Sequence, residues 1–152
     1  MPPHNNIKIL PMAMDHLHGV MDVERQSFPA PWSRDAYIFE LLHNKVAYYF
    51  VAMVDDTVVG YAGVWVLVDE AHVTNIAVLP KWRRQGIGEG LLTKLMTVAK
   101  AHGADKMTLE VRKSNWGARR LYEKLGFVAL GCRRNYYAET REDAIIMWKY
   151  NL

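Results

Sequence analysis

Residues 75–102 constrain this chain more than any other stretch: NIAVLPKWRRQGIGEGLLTKLMTVAKAH. It opens on a short apolar run, Ile76-Ala77-Val78, of the kind a buried strand carries. Pro80 has no N–H to donate and ends any strand pairing. A basic, glycine-punctuated turn follows, Arg83-Arg84-Gln85-Gly86-Ile87-Gly88. Beyond it Ile87, Leu91, Leu92, Leu95, Met96 and Ala99 recur at helical spacing, and Gly103 supplies a stop. A strand, a glycine turn and a helix in that order have a chemical meaning. The first N–H groups of a helix lack internal partners and sit at the positive end of its dipole. Glycines there carry no Cβ to hold a phosphate away, and two arginines add full charges. The turn is a candidate cradle for a phosphorylated ligand.

Spacing narrows the ligand. The glycines at 86, 88 and 90 do not satisfy G-x-G-x-x-G, because position 91 is leucine, and no Gly-Lys-Ser/Thr follows as a P-loop requires. What does fit is R-x-x-G-x-G, from Arg83 to Gly88. On the turn alone, a glycine-rich corner that only caps a core helix is the alternative.

The rest of the chain reads as a mixed sheet. Residues 7–12 suit a short edge strand, with Pro11 tolerated at an edge. Asp15 is read as the cap of a helix carrying Leu17, Val20, Met21 and Phe28. The segment Phe28-Pro29-Ala30-Pro31-Trp32 breaks that helix, and Ser33 caps the next, through Leu42. Residues 46–54 and 58–68 form an antiparallel pair about the Asp55-Asp56-Thr57 turn, and residues 72–78 follow. Along 106–112, Met107, Leu109 and Val111 face one side while Thr108, Glu110 and Arg112 face the other. Ser114-Asn115 starts a short helix with Ala118, Leu121, Tyr122 and Leu125 on one face, and Gly126 stands at its C′ position. Residues 127–132 and 144–150 are two last strands, joined across a polar loop. Only the step from Val78 through the central helix to Lys106 needs a parallel crossover. The expected fold is α/β (α+β), a mostly antiparallel sheet of six to seven strands with helices on both faces.

Composition sets the outer limits. A chain of 152 residues suits one domain, 1–152, that buries about two-thirds of its surface. With 51% apolar and 23% charged residues it is not a disordered chain. The net charge of +3 suits a polyanionic cofactor as well as a ribosomal or nucleic-acid neighbourhood. A single cysteine, Cys132, excludes an internal disulfide. Residues 1–14 lack the basic and apolar regions of a leader, and no run reaches membrane-spanning length. A cytoplasmic location is expected, with no membrane partner and no nucleic-acid role. His16 and His18 do not share a helical face, and no carboxylate cluster completes a metal site.

Two residues carry candidate proton chemistry. Glu110 points away from the apolar face of its strand, where a carboxylate can remove a proton directly or through water; a surface ion pair with Arg112 or a lysine is the plain alternative. Tyr122 is a phenol able to protonate a leaving group, and at its helical spacing it also suits a core. Their neighbours sharpen both. Leu109-Glu110-Val111-Arg112-Lys113-Ser114-Asn115, then Leu121-Tyr122-Glu123-Lys124-Leu125-Gly126-Phe127, resembles the second signature of the GNAT superfamily of acetyl-CoA-dependent N-acetyltransferases, and Arg83 to Gly88 resembles its pyrophosphate loop. Arg133-Arg134-Asn135-Tyr136-Tyr137, residues 141–147 and the F-x-x-P-W of residues 28–32 are similar to the RimI-type subgroup, which acetylates the N-terminal alanine of a ribosomal protein.

The resemblance implies a GNAT fold with a splayed parallel pair at its centre. It implies Glu110 as general base and Tyr122 as general acid, with acetyl-CoA as co-substrate. Ile76, Ala77 and Val78 would pair with the pantetheine arm, and Arg84, Gln85, Gly86, Ile87, Gly88 and Glu89 would hold the pyrophosphate, with Asn115 completing that site. The acceptor, a protein or peptide N-terminus, would lie between Phe28, Pro29 and Trp32 on one side and Tyr136 and Tyr137 on the other. Glu89 departs from the subgroup, which often has a basic or small residue there; its side chain is expected to point outward. Two other readings stay open: a GNAT enzyme for a lysine side chain, polyamine or other small amine, and a non-catalytic CoA-binding module that docks to the ribosome.

Overall fold

The computed structural model describes residues 6–152; the first five, part of the stretch read above for a leader, lie outside the described residues. Strands β1 (Ile7–Pro11), β2 (Ala47–Val54), β3 (Thr57–Leu67), β4 (Glu70–Val78), β5 (Lys106–Arg112), β6 (Val128–Tyr137) and β7 (Glu142–Tyr150) form one sheet, ordered β1-β2-β3-β4-β5-β7-β6. Every neighbouring pair is antiparallel except β4 and β5. Helices α1 (Leu17–Ser27), α2 (Arg34–Leu42), α3 (Ile87–Ala101) and α4 (Trp116–Lys124) cover it.

Alternation along the strands feeds two cores. In β2, Phe50, Ala52 and Val54 enter one with Leu91, Leu92 and Leu95 of α3, while Tyr49 and Val51 enter the other with Leu17, Val20 and Val23 of α1. The helices therefore lie on both faces. Each of the three α3 leucines is fully buried, and such a side chain contributes about 1.5–3 kcal/mol.

The caps are local chemistry. Ser33 Oγ accepts from Ala36 N at 3.1 Å, and Asn115 Oδ1 accepts from Ala118 N at 3.2 Å, as the sequence suggests. Asp15 does not cap α1. It sits inside a 3-10 turn, Met14–His16, where its own backbone is already helical, and the extended capping residue is Ala13. There the Ala13 N–H donates to His16 Nδ1 at 2.9 Å, so His16 has a local structural partner.

Three strands exceed their expected bounds by two residues or more, β7 by starting at Glu142. β4 begins at Glu70, and β6 runs on to Tyr137. Nearly all of β6 is exposed, so it lacks the alternation by which strands are read.

The centre of the sheet is split. Pairing of β4 with β5 covers only Glu70↔Lys106, Ala71↔Met107 and His72↔Thr108, after which the strands part. On the other side of β4 the register with β3 shifts, Gly63↔Asn75 being followed by Val64↔Val73, so Thr74 is extra. A bulge increases local twist, and this one lies where β4 leaves β5. Gly63 is required opposite it: a Cβ there would sit 2.0 Å from the Tyr49 ring.

Candidate active site

One cavity, of about 690 Å³, follows the glycine corner. Ile76, Ala77, Val78, Arg84, Gly86, Ile87, Gly88, Glu89 and Asn115 all line it. Gln85 does not; its side chain donates to Lys81 O at 3.4 Å. Gly86 is the N-cap of α3, with φ +80°, and no side chain caps this helix end. The first bonded amide is Gly90 N, to Gly86 O at 3.0 Å, so the N–H groups of residues 87–89 have no helical partner. A Cβ at Gly86 would meet nothing within 4 Å, so the space above the amides is open. Arg83 Nε donates to Val78 O at 2.9 Å and pins the corner to the end of β4. These features fit a phosphate-bearing ligand. Glu89 pairs with Lys124 Nζ at 2.7 Å, and both residues line the cavity, so its carboxylate is turned to α4 and partly neutralised.

A second cavity, of about 420 Å³, holds the remaining expected residues: Phe28, Pro29, Trp32, Glu110, Tyr136 and Tyr137. Ile76, Phe28, Asn115 and Tyr122 line both cavities. The two spaces thus meet where β4 has separated from β5, beside the Tyr122 ring.

Glu110 does not pair with Arg112 or a lysine, the plain alternative to a chemical role. Its Oε1 lies 3.0 Å from His72 Nε2, and its side chain is only 12% exposed. Burial pushes its pKa up, but His72, then Arg133 and the Tyr136 hydroxyl, outweigh this and hold it below the ordinary carboxylate range. Tyr122 is buried, and burial, followed by Tyr137, pushes its phenol well above the ordinary value, so it stays O–H at working pH. Tyr136 and Tyr137 meet edge to face at 5.1 Å. Arg112 lies 4.0 Å over the Tyr137 ring, donates to Thr140 Oγ1 at 2.9 Å and pairs with Glu139. It fastens the β6–β7 turn as one wall of the cavity.

Sequence reasoning named Phe28, Pro29 and Trp32 for the other wall but missed what holds it. Glu24, on α1 and 1% exposed, accepts from Tyr37 Oη at 2.6 Å, from Trp32 N at 2.7 Å and from the Tyr61 hydroxyl. Asn75 Nδ2 donates to Tyr37 Oη at 2.7 Å, and Thr74 Oγ1 donates to Asn75 Oδ1 at 2.8 Å. One buried carboxylate therefore ties the residue 28–32 loop to the bulge of β4. A glutamate within an otherwise apolar helical face is the sequence signal that could have found it. Among the described residues, no group of three or more His, Cys, Asp or Glu could hold a metal ion.

Residues 17–127 match the acetyltransferase (GNAT) family. A Bacillus subtilis (strain 168) protein is 41% identical over 137 residues, covering 90% of this chain and 91% of its own length. The ribosomal protein bS18-alanine N-acetyltransferase of Escherichia coli (strain K12) is 40% identical over 135 residues, covering 86% and 88%. The crystal structure of the Escherichia coli ribosomal-protein-S18-alanine N-acetyltransferase superposes with a TM-score of 0.85 at 34% identity, over 95% of this chain and 94% of that one.

Proposed function

This chain belongs to the acetyltransferase (GNAT) family, and from that premise we propose that it transfers acetyl from acetyl-CoA to a protein N-terminal α-amine, the N-terminal alanine of a ribosomal protein of the bS18 type. Attack is direct, in a ternary complex. The observation that carries this reading is the junction of two cavities at Ile76 and Tyr122, with Glu110 in the second.

The co-substrate supplies an activated acetyl thioester. The backbone of Arg84 and of residues 86–89 would take its pyrophosphate, with Asn115 at the far wall and the unpaired edge of Ile76-Ala77-Val78 along its arm. Phe28, Pro29 and Trp32 on one side and Tyr136 and Tyr137 on the other seat the acceptor. An α-amine has a pKa of about 7.7–8.0, so part of it is already free near neutrality. Its nitrogen turns acidic as the new bond to carbon forms. A carboxylate held low, as Glu110 is, accepts the proton at that stage. The Tyr122 O–H then donates to the sulfur as it departs.

The acceptor cavity contains Glu24, Glu110, Glu139 and Arg112. Each of the three carboxylates is already engaged, by Tyr37 and Trp32, by His72 and by Arg112 respectively. Such walls, rich in aromatic rings, suit a peptide end better than a polyamine. Among the described residues no helix is long and apolar enough to cross a membrane, and the cytoplasm is the proposed compartment. The test is CoA release with peptides of different N-termini beside lysine-only and polyamine controls. Turnover on alanine-first peptides supports the reading. Turnover on the controls alone, or acetyl-CoA binding without turnover, replaces it.

A further inference from the structure

Backbone pairing between β4 and β5 ends at His72↔Thr108, and side chains make the next tie across the opening. His72 Nε2 lies 3.0 Å from Glu110 Oε1. An ionised carboxylate can only accept, so the shared hydrogen belongs to Nε2. Glu110 lines the acceptor cavity; His72 lines neither cavity and stands outside, its side chain 37% exposed. The His72 ring meets Trp65 edge-on at 6.4 Å, and Trp65 Nε1 is in turn held by Glu40 Oε1 at 2.6 Å. From β6, Arg133 and Tyr136 face the same carboxylate. Glu110 is thus met from the neighbouring β4 on one side and from β6, beyond β7, on the other.

We propose that His72 is a positioning residue for acetyl transfer: from the last paired position of β4 it holds the Glu110 carboxylate toward the acceptor cavity. The proposal rests on the reading of Glu110 as the base. The part of His72 is to donate its hydrogen bond; the amine's proton passes to Glu110 and from there to solvent. Without the His72 N–H, two things follow. The carboxylate loses a fixed orientation, and burial is less opposed, so Glu110 protonates at a higher pH than before.

The test measures kcat and both KM values across the acidic and neutral range for His72→Leu and His72→Gln, each alone and combined with Glu110→Gln. His72→Leu is expected to lower kcat by about ten- to a hundredfold, the size of a hydrogen bond to a charged group. The acidic limb of its kcat profile should move to higher pH, with KM for acetyl-CoA unchanged. His72→Gln, which keeps an N–H donor, should recover most of the loss. In the Glu110→Gln background His72→Leu should add nothing, since the pair acts as one unit. An unshifted pH profile, equal losses in the leucine and glutamine variants, or the same further loss without Glu110 would overturn the role of His72. If His72→Leu fails to fold, the glutamine variant and its combination with Glu110→Gln decide by the same criteria. A wild-type protein that releases no CoA with any peptide would instead defeat the functional reading itself.

Discussion

Tyr37→Phe isolates the buried network that shapes the acceptor cavity. The ring is retained, so packing against Tyr49 and Tyr61, at 6.0 and 5.8 Å, survives. What disappears is one O–H that donates to Glu24 Oε1 at 2.6 Å and accepts from Asn75 Nδ2 at 2.7 Å. Burial, then Tyr61 and Glu24, drive the Tyr37 phenol far above its ordinary value, so the group removed is a neutral donor. A hydrogen bond to a charged group contributes about 1.5–3 kcal/mol. Asn75 is only part-buried and lines the cavity, so its freed N–H can bond water, and Tyr61 and the Trp32 N–H still hold Glu24. The expected loss is about 2–3 kcal/mol, for a chain of this length a fall in Tm of roughly 5–10 °C. Urea unfolding should show it as a lower midpoint with an unchanged slope. Because Asn75 lines the acceptor cavity, KM for the peptide should rise while KM for acetyl-CoA stays fixed. A stability loss under about 1 kcal/mol, with an unchanged peptide KM, would refute the idea that this network sets the wall.

Glu110→Gln should lower kcat more at neutral pH than at high pH, where free amine is abundant; equal loss throughout would remove its role as base. The same substitution tests linkage. The folded pKa of Glu110 is lowered, so its contribution to stability is present above the ordinary carboxylate range and fades as pH falls through the folded value. The glutamine variant should therefore show a flatter acid limb in thermal denaturation. Tyr122→Phe should cut kcat while leaving far-UV circular dichroism and KM for acetyl-CoA unchanged; full activity would return this residue to packing alone. Gly63→Ala should cost about 1–3 kcal/mol in chemical denaturation, because its Cβ would require Tyr49 to leave its place against the sheet.

Legibility in the sequence followed distance along the chain. The glycine corner, its helix, the Ser33 and Asn115 caps and the position of Glu110 on its strand depend on residues a few places apart, and all could be read. Asp15 misled because the backbone turns helical already at Met14, after an extended Ala13 whose side chain offers no capping signal. The length of β6 was hidden because an edge strand open on both faces shows no period. The partners of Glu110 and of Glu24 were out of reach for another reason. His72 lies 38 residues from Glu110, and Tyr61 lies 37 from Glu24, so these contacts exist only once the sheet is assembled. The same holds for the bulge at Thr74, which depends on register between strands and not on the composition of either one.

The shared wall at Ile76 and Tyr122 has a kinetic corollary. On the proposed function each reactant has its own chamber, with Trp32 and Tyr136 belonging to one and Arg84 and Gly88 to the other, so neither must vacate for its companion to enter or depart. Steric blocking then imposes no compulsory sequence of arrival, and the two products can dissociate independently. A single molecule that joins a peptide end to coenzyme A through the acetyl carbon would occupy both chambers at once. Such a molecule should compete with each reactant separately.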